Sequence, residues 1–221
     1  KEITMFFTTK RDAQSLQEQT GDFINKSGIY DVIIKFASVN KGDKGSISID
    51  FNCEYKGSET TFYGLRLTNN DGSDNFQKAL FNKLLVILGI DALAEPTYED
   101  HAVGKDRQVK SFAVLTELSD QPIKIRVQYS YSMWQGEIVE RREIKNFYRA
   151  SDGAVASEVE SGENIGAQLN KDRAYENNVT YKDGLTEAMV AEWKAAKKAG
   201  TSYTPNTGAK PATTNPFGKV S

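Results

Sequence analysis

The chain has 221 residues, with 28 basic against 30 acidic side chains and a formal net charge of −2, a balance that argues against gripping duplex DNA by bulk electrostatics. It leaves single strands open, because stacking on aromatic rings carries much of that affinity. One cysteine (Cys53) and one histidine (His101) exclude an internal disulfide framework and leave too few ligands for a Cys/His zinc site, which fits a reducing cytoplasm.

The N-terminal stretch 1–27 begins Lys1-Glu2-Ile3-Thr4, without the apolar block of a secretory signal, and reads as an arm. No apolar run approaches the roughly 20 residues that span a bilayer, so no membrane partner is expected. Gly28 to Ala37 alternates, with Tyr30, Val32, Ile34 and Phe36 on one face. After the turn 40–45, Ser46 to Tyr55 alternates more strictly and predicts a strand buried on one side only. Lys56-Gly57-Ser58 turns the chain again, and Thr60 to Leu67 gives a third strand. A helix follows, with Asp74 as N-cap, Gln77 completing a capping box, Phe76, Leu80, Leu84 and Ile87 as the apolar stripe, and Gly89 as the C′ glycine.

Residues 90–108 read as a polar connection. Strands resume at Val109 to Leu118, Pro122 to Tyr131 and Glu137 to Tyr148. Composition changes near residue 150. The stretch 151–184 is polar and reads as a loop or partly ordered excursion, 185–199 has helical spacing through Leu185, Met189 and Trp193, and 200–221 is a proline-containing, flexible tail.

Three meander strands, one helix and two or three further strands is the order of the oligonucleotide/oligosaccharide-binding (OB) barrel, with its helix between strands 3 and 4. Other small barrels and α+β sheets share that order. The expectation is a mainly β protein with an OB-like antiparallel barrel over 28–150, and a polar extension with a C-terminal helix over 151–199.

Catalytic signatures are scarce. No phosphate loop, nucleophile elbow, HExxH or dinucleotide fingerprint is present. His101 reads as a solvated loop histidine, Cys53 as a buried structural thiol, and Glu99, Asp100 and Asp106 as a solvated acidic loop. The expectation is a non-enzymatic protein with no cofactor and no metal.

The more informative set is basic and aromatic. Strand 122–131 displays Lys124 and Arg126, Trp134 stands at the following turn, and the last strand carries Arg141, Arg142 and Lys145 with Phe147 and Tyr148. Single strands need cations along the phosphates and flat rings for the bases, and this stretch supplies both. Lys35 and Arg66 extend the cationic side. Trp134 and Tyr148 are the expected stacking rings, with Phe62 behind them, since it shares the parity of Arg66. The competing reading pairs these cations with Glu137, Glu140 and Glu143 as ordinary cross-strand ion pairs.

The run 28–34 (GIYDVII), the helix end Leu88-Gly89-Ile90 and above all 136–148 (GEIVERREIKNFY) resemble a family of bacteriophage single-stranded DNA-binding proteins with an OB fold. Its late strand reads Arg, polar, Glu, aliphatic, Lys, small or polar, aromatic, as Arg141 to Phe147 do here. The likeness covers about residues 25 to 150. It implies sequence-independent coating of single-stranded DNA in phage replication or recombination, in the host cytoplasm, with replication or recombination proteins as further partners through the C-terminal helix or tail. One departure stands out: the chain ends 215–221 (NPFGKVS), with Phe217 but without the acidic run of many such proteins. The alternative is an interaction or assembly module of a replisome or virion, docking through the helix around Trp193. A magnesium-dependent nuclease is a third, weaker class.

Overall fold

Alternating side chains leave a strand on opposite faces, so one apolar parity becomes a buried face. In the computed structural model, which describes residues 23–104 and 106–204, this holds along the first strand of the meander as far as Phe36 and along most of the second. Its strands are β1 (Gly28–Lys41), β2 (Ile47–Tyr55) and β3 (Ser58–Arg66). Val32, Ile34 and Phe36 of β1 are buried together with Ile49, Phe51 and Cys53 of β2, while Asp31 and Lys35 are exposed. The expected flexible tail from 205 onward and the arm before 23 lie outside the described residues.

The helix, α1 (Lys78–Leu88), starts later than Asp74. Gln77 takes the cap position, with its N–H donating to Asn75 Oδ1 at 3.0 Å, and Asp74 instead pairs with Lys78 at 2.7 Å. The buried stripe is accordingly Phe81, Leu84 and Ile87, with Leu80 partly buried, and Phe76 lies upstream of the helix at 85% exposure. Gly89 ends the helix at φ 68°, and its N–H meets the Leu85 and Val86 carbonyls, as a C′ glycine should.

Two strands occupy and follow the expected polar connection: β4 (Thr97–Val103) pairs antiparallel with β5 (Gln108–Val114). His101 is therefore not a solvated loop residue. Its ring stacks on Phe36 with centroids 3.9 Å apart, and Nε2 lies 3.0 Å from Glu99 Oε2. A single 3₁₀ turn, Thr116–Leu118, replaces the end of the strand expected to reach Leu118. The long pair β6 (Gln121–Trp134) and β7 (Glu137–Arg149) follows, joined by the two-residue turn Gln135-Gly136.

β1 organises the sheet. It pairs β2 along Ile33–Lys41 and β6 along Gly28–Ile34, with Ile33 and Ile34 paired to both, and its ladder with β2 carries a bulge between Ile34 and Phe36. β5 meets β1 at Ser38. The result is a mainly β, antiparallel sheet that is not closed. Successive antiparallel pairings along β3-β2-β1-β6-β7 make β3 and β7 point the same way, with no ladder between them among the described residues.

The extension 151–199 departs from expectation in its first part and meets it in its last. The stretch expected as a loop or partly ordered excursion forms α2 (Ala156–Ser161), α3 (Ala167–Arg173) and the short β8 (Thr180–Tyr181) parallel to β6, and the expected C-terminal helix is α4 (Glu187–Ala199). Two buried carboxylates organise it. Glu158 accepts from the backbone N–H groups of Val155, Gly166 and Gln168 at 3.1, 2.9 and 2.8 Å. Asp172 accepts from Tyr148 Oη at 2.5 Å, Arg126 Nη1 at 3.0 Å, Gln168 Nε2 at 3.1 Å and Asn146 Nδ2 at 3.2 Å. Leu185 and Val190 join the main core, and Trp193 packs edge-on to Tyr131 with centroids 6.3 Å apart. No helix among the described residues is long and apolar enough to cross a membrane.

Candidate nucleic-acid interface

The open seam between β3 and β7 forms a groove of about 650 Å³, lined also by Phe51 and by residues 75–77 ahead of α1. Its shape comes from one extra residue in β3. Ile49 opposes Leu65 and Phe51 opposes Phe62, so two steps along β2 match three along β3. Gly64 absorbs the excess at φ 73°, and its N–H donates to Asp50 Oδ1 at 2.6 Å. A left-handed backbone here suits only glycine without strain. The bulge turns both Phe62 and Leu65 inward and throws Tyr63 out, at 72% exposure. Phe62 is 3% exposed, so the parity shared with Arg66 is broken and its ring is core rather than a stacking face.

Arg142 bridges the open seam at one point with its side chain. Nη1 donates to Thr60 Oγ1 at 3.1 Å, Nη2 to the Thr61 carbonyl at 2.9 Å, and the guanidinium lies 5.6 Å from the centre of the Phe62 ring. Those bonds replace a backbone ladder, so Arg142 is committed to the fold. Arg66 and Arg141 are different. Both are exposed on the groove, and neither guanidinium makes an ion pair or hydrogen bond with another described residue. Tyr63 and Phe76 flank them with exposed rings. Neither ring was expected from the alternation; the Tyr63-Gly64 step inside a strand is the sequence signal for a bulge, and Phe76 carries no comparable signal.

The remaining expected site residues lie elsewhere or are occupied. Lys35 pairs with Asp120 and Lys124 with Asp31. Arg126 binds Asp172 and the Tyr175 carbonyl, the latter at 3.3 Å. Lys145 pairs with Glu143 at 2.6 Å, at the rim of the groove. Trp134 is 63% exposed at the β6–β7 turn and does not line the groove. Tyr148 is fully buried and gives its hydroxyl to Asp172, so it offers no face to a base. Burial and that hydrogen bond push its phenol well above the usual range.

The acids have physical partners too. Burial pushes the Asp172 carboxyl up, but hydrogen bonds from Tyr148, Asn146 and Gln168 and the Arg126 charge outweigh it and hold it below the ordinary aspartate range. Glu143 is likewise held low, since Lys145 and Ser130 outweigh its burial. Burial alone pushes the Cys53 thiol up to about 12, which leaves it protonated at neutral pH. Among the described residues, no group of three or more His, Cys, Asp and Glu side chains is placed to hold a metal.

The sequence matches no protein-family model and no curated protein.

Proposed function

We propose that this protein binds single-stranded DNA without sequence preference, along the groove between β3 and β7. One observation carries the reading: two guanidinium groups without a partner among the described residues, Arg66 and Arg141, share a single groove with the exposed rings of Tyr63 and Phe76. Cations that follow phosphates beside rings that stack bases are the two requirements of single-strand binding. The topology is compatible with it. Strands β1, β2, β3, β6 and β7 with α1 after β3 follow the OB order, with the β4–β5 hairpin inserted and the seam left open. The resemblance of 136–148 to phage single-strand binding proteins supports the same reading, with phage replication or recombination in the host cytoplasm as the proposed setting.

The test is fluorescence anisotropy of a labelled oligo-dT of about 30 nucleotides, a few OB site sizes, against a duplex of equal length. Expected are tight binding of the single strand, weak binding of the duplex, and a log–log salt slope that shrinks by about 0.7 for each of Arg66→Ala and Arg141→Ala. Absence of binding at low salt would overturn the reading. The assembly-module alternative then gains from Tyr98 and Val109, 81% and 68% exposed on the β4–β5 hairpin, whose outer strand β4 pairs only with β5 among the described residues.

A further inference from the structure

The groove holds two carboxylates among its cations, Glu140 and Glu143. Either would repel a phosphate if left uncompensated, because exposed charges act over distances up to about 10 Å at ordinary salt. Glu143 is neutralised from its own strand by Lys145. Glu140 is neutralised from a different part of the chain. Its Oε2 accepts from Tyr131 Oη at 2.8 Å and lies 3.1 Å from Nζ of Lys194, on α4. The same ammonium sits 5.1 Å from the centre of the Tyr131 ring and 5.8 Å from that of Tyr129. Lys194 is itself absent from the groove wall, whereas the Glu140 side chain is on it and 33% exposed.

We infer that Lys194 is a positioning residue for nucleic-acid binding: it holds the Glu140 carboxylate against Tyr131 and cancels its charge, so that α4 sets the field a phosphodiester backbone meets between β3 and β7. The inference rests on the single-strand reading above. Lys194 acts through Glu140 and not as a phosphate contact, because its ammonium is already engaged by one carboxylate and two rings. Removing the lysine while keeping the glutamate releases an uncompensated negative charge into the groove. Removing the glutamate makes the lysine dispensable.

The experiment is a double-mutant cycle on the full chain with Lys194→Met, Glu140→Gln and the pair, reading oligo-dT affinity by anisotropy and melting temperature by circular dichroism. Lys194→Met is expected to weaken binding about two- to fivefold, the scale of one exposed charge interaction, and Lys194→Arg to retain the original affinity. Glu140→Gln is expected to bind at least as tightly as the unsubstituted chain, and in that background Lys194→Met should change nothing. Equal weakening in both backgrounds would mean that the ammonium touches the DNA directly, and would overturn the inference. So would an unchanged affinity for Lys194→Met in a chain that binds oligo-dT tightly. If Lys194→Met lowers the melting temperature, Glu140→Gln decides alone, since weaker binding by that variant contradicts a repulsive carboxylate. Failure of the unsubstituted chain to bind would instead sink the functional reading, and this inference with it.

Discussion

β7 passes through two environments that use the same residue types in opposite ways. Near its middle, Arg141 is exposed on the groove with no described partner. Near its end, Tyr148 is buried, with its hydroxyl on Asp172 beside the Arg126 guanidinium. The difference comes from the chain after 150, which lays α3 and its aspartate against β6 and β7 and leaves the β3 side open. A cation or an aromatic ring on a strand acquires its role from what the rest of the chain packs over it. The buried end serves stability, and the open middle is free for a ligand.

Breaking the buried end should produce the largest effect. Asp172→Ala leaves the partly buried Arg126 with only the Tyr175 carbonyl and Tyr148 without its acceptor, and is expected to lower unfolding stability by about 3 kcal/mol in a denaturant titration. Affinity for oligo-dT in the folded fraction should hardly change. Breaking the open middle should do the reverse. Tyr63→Ala is expected to cost about 1–3 kcal/mol of single-strand affinity, the range for loss of one stacked base, with little change in denaturation midpoint.

Acid sharpens the same contrast. The Asp172 and Glu158 carboxyls are both held below their ordinary values in the fold. For Asp172 burial opposes this and the hydrogen bonds from Tyr148, Asn146 and Gln168 win; for Glu158 burial again opposes it and three backbone N–H groups win. A depressed folded value means that their stabilisation is complete above the unfolded range of about 4 and is lost as pH falls through the folded values. Stability measured by denaturant titration should therefore drop on acidification below about pH 4, and Asp172→Asn should flatten that dependence. The smallest effect belongs to Lys124→Ala. Its ammonium is committed to Asp31 and lies off the groove, so oligo-dT affinity should stay within measurement error of the unsubstituted chain.

The meander and the β6–β7 pair were legible because most of each strand alternates, most cleanly β2, where Ile49, Phe51 and Cys53 share the buried parity. The end of α1 was legible because Gly89 has a stereochemical reason to stand there. β4 escaped because none of its residues is fully buried, which leaves no apolar period to detect. The segment 151–184 escaped because its anchors are Glu158 and Asp172, and a buried carboxylate reads in sequence as a solvated one, whereas the helix after it was legible from the spacing of Leu185, Met189 and Trp193. Of the expected site, Arg66 and Arg141 do meet in one groove, but the residues alone carried no sign of which cations have carboxylate partners. Tyr63 was hidden by the bulge, since an inserted residue reverses the parity on which the argument for Phe62 depended.

The dual pairing of β1 also has a consequence for how the molecule is made. β2 and β3 add to β1 as neighbouring hairpins, closing short loops. β6 reaches β1 only when Gly28 meets Val127, across most of the sheet-forming sequence. Such non-local closure is slow, because the loop entropy is lost before the contacts form. The two walls of the groove hang on opposite edges of β1, β3 through β2 and β7 through β6. The groove therefore comes into being only after the slowest pairing of the sheet is complete, and a nascent or half-folded chain presents its rings and cations separately, with no cleft between them.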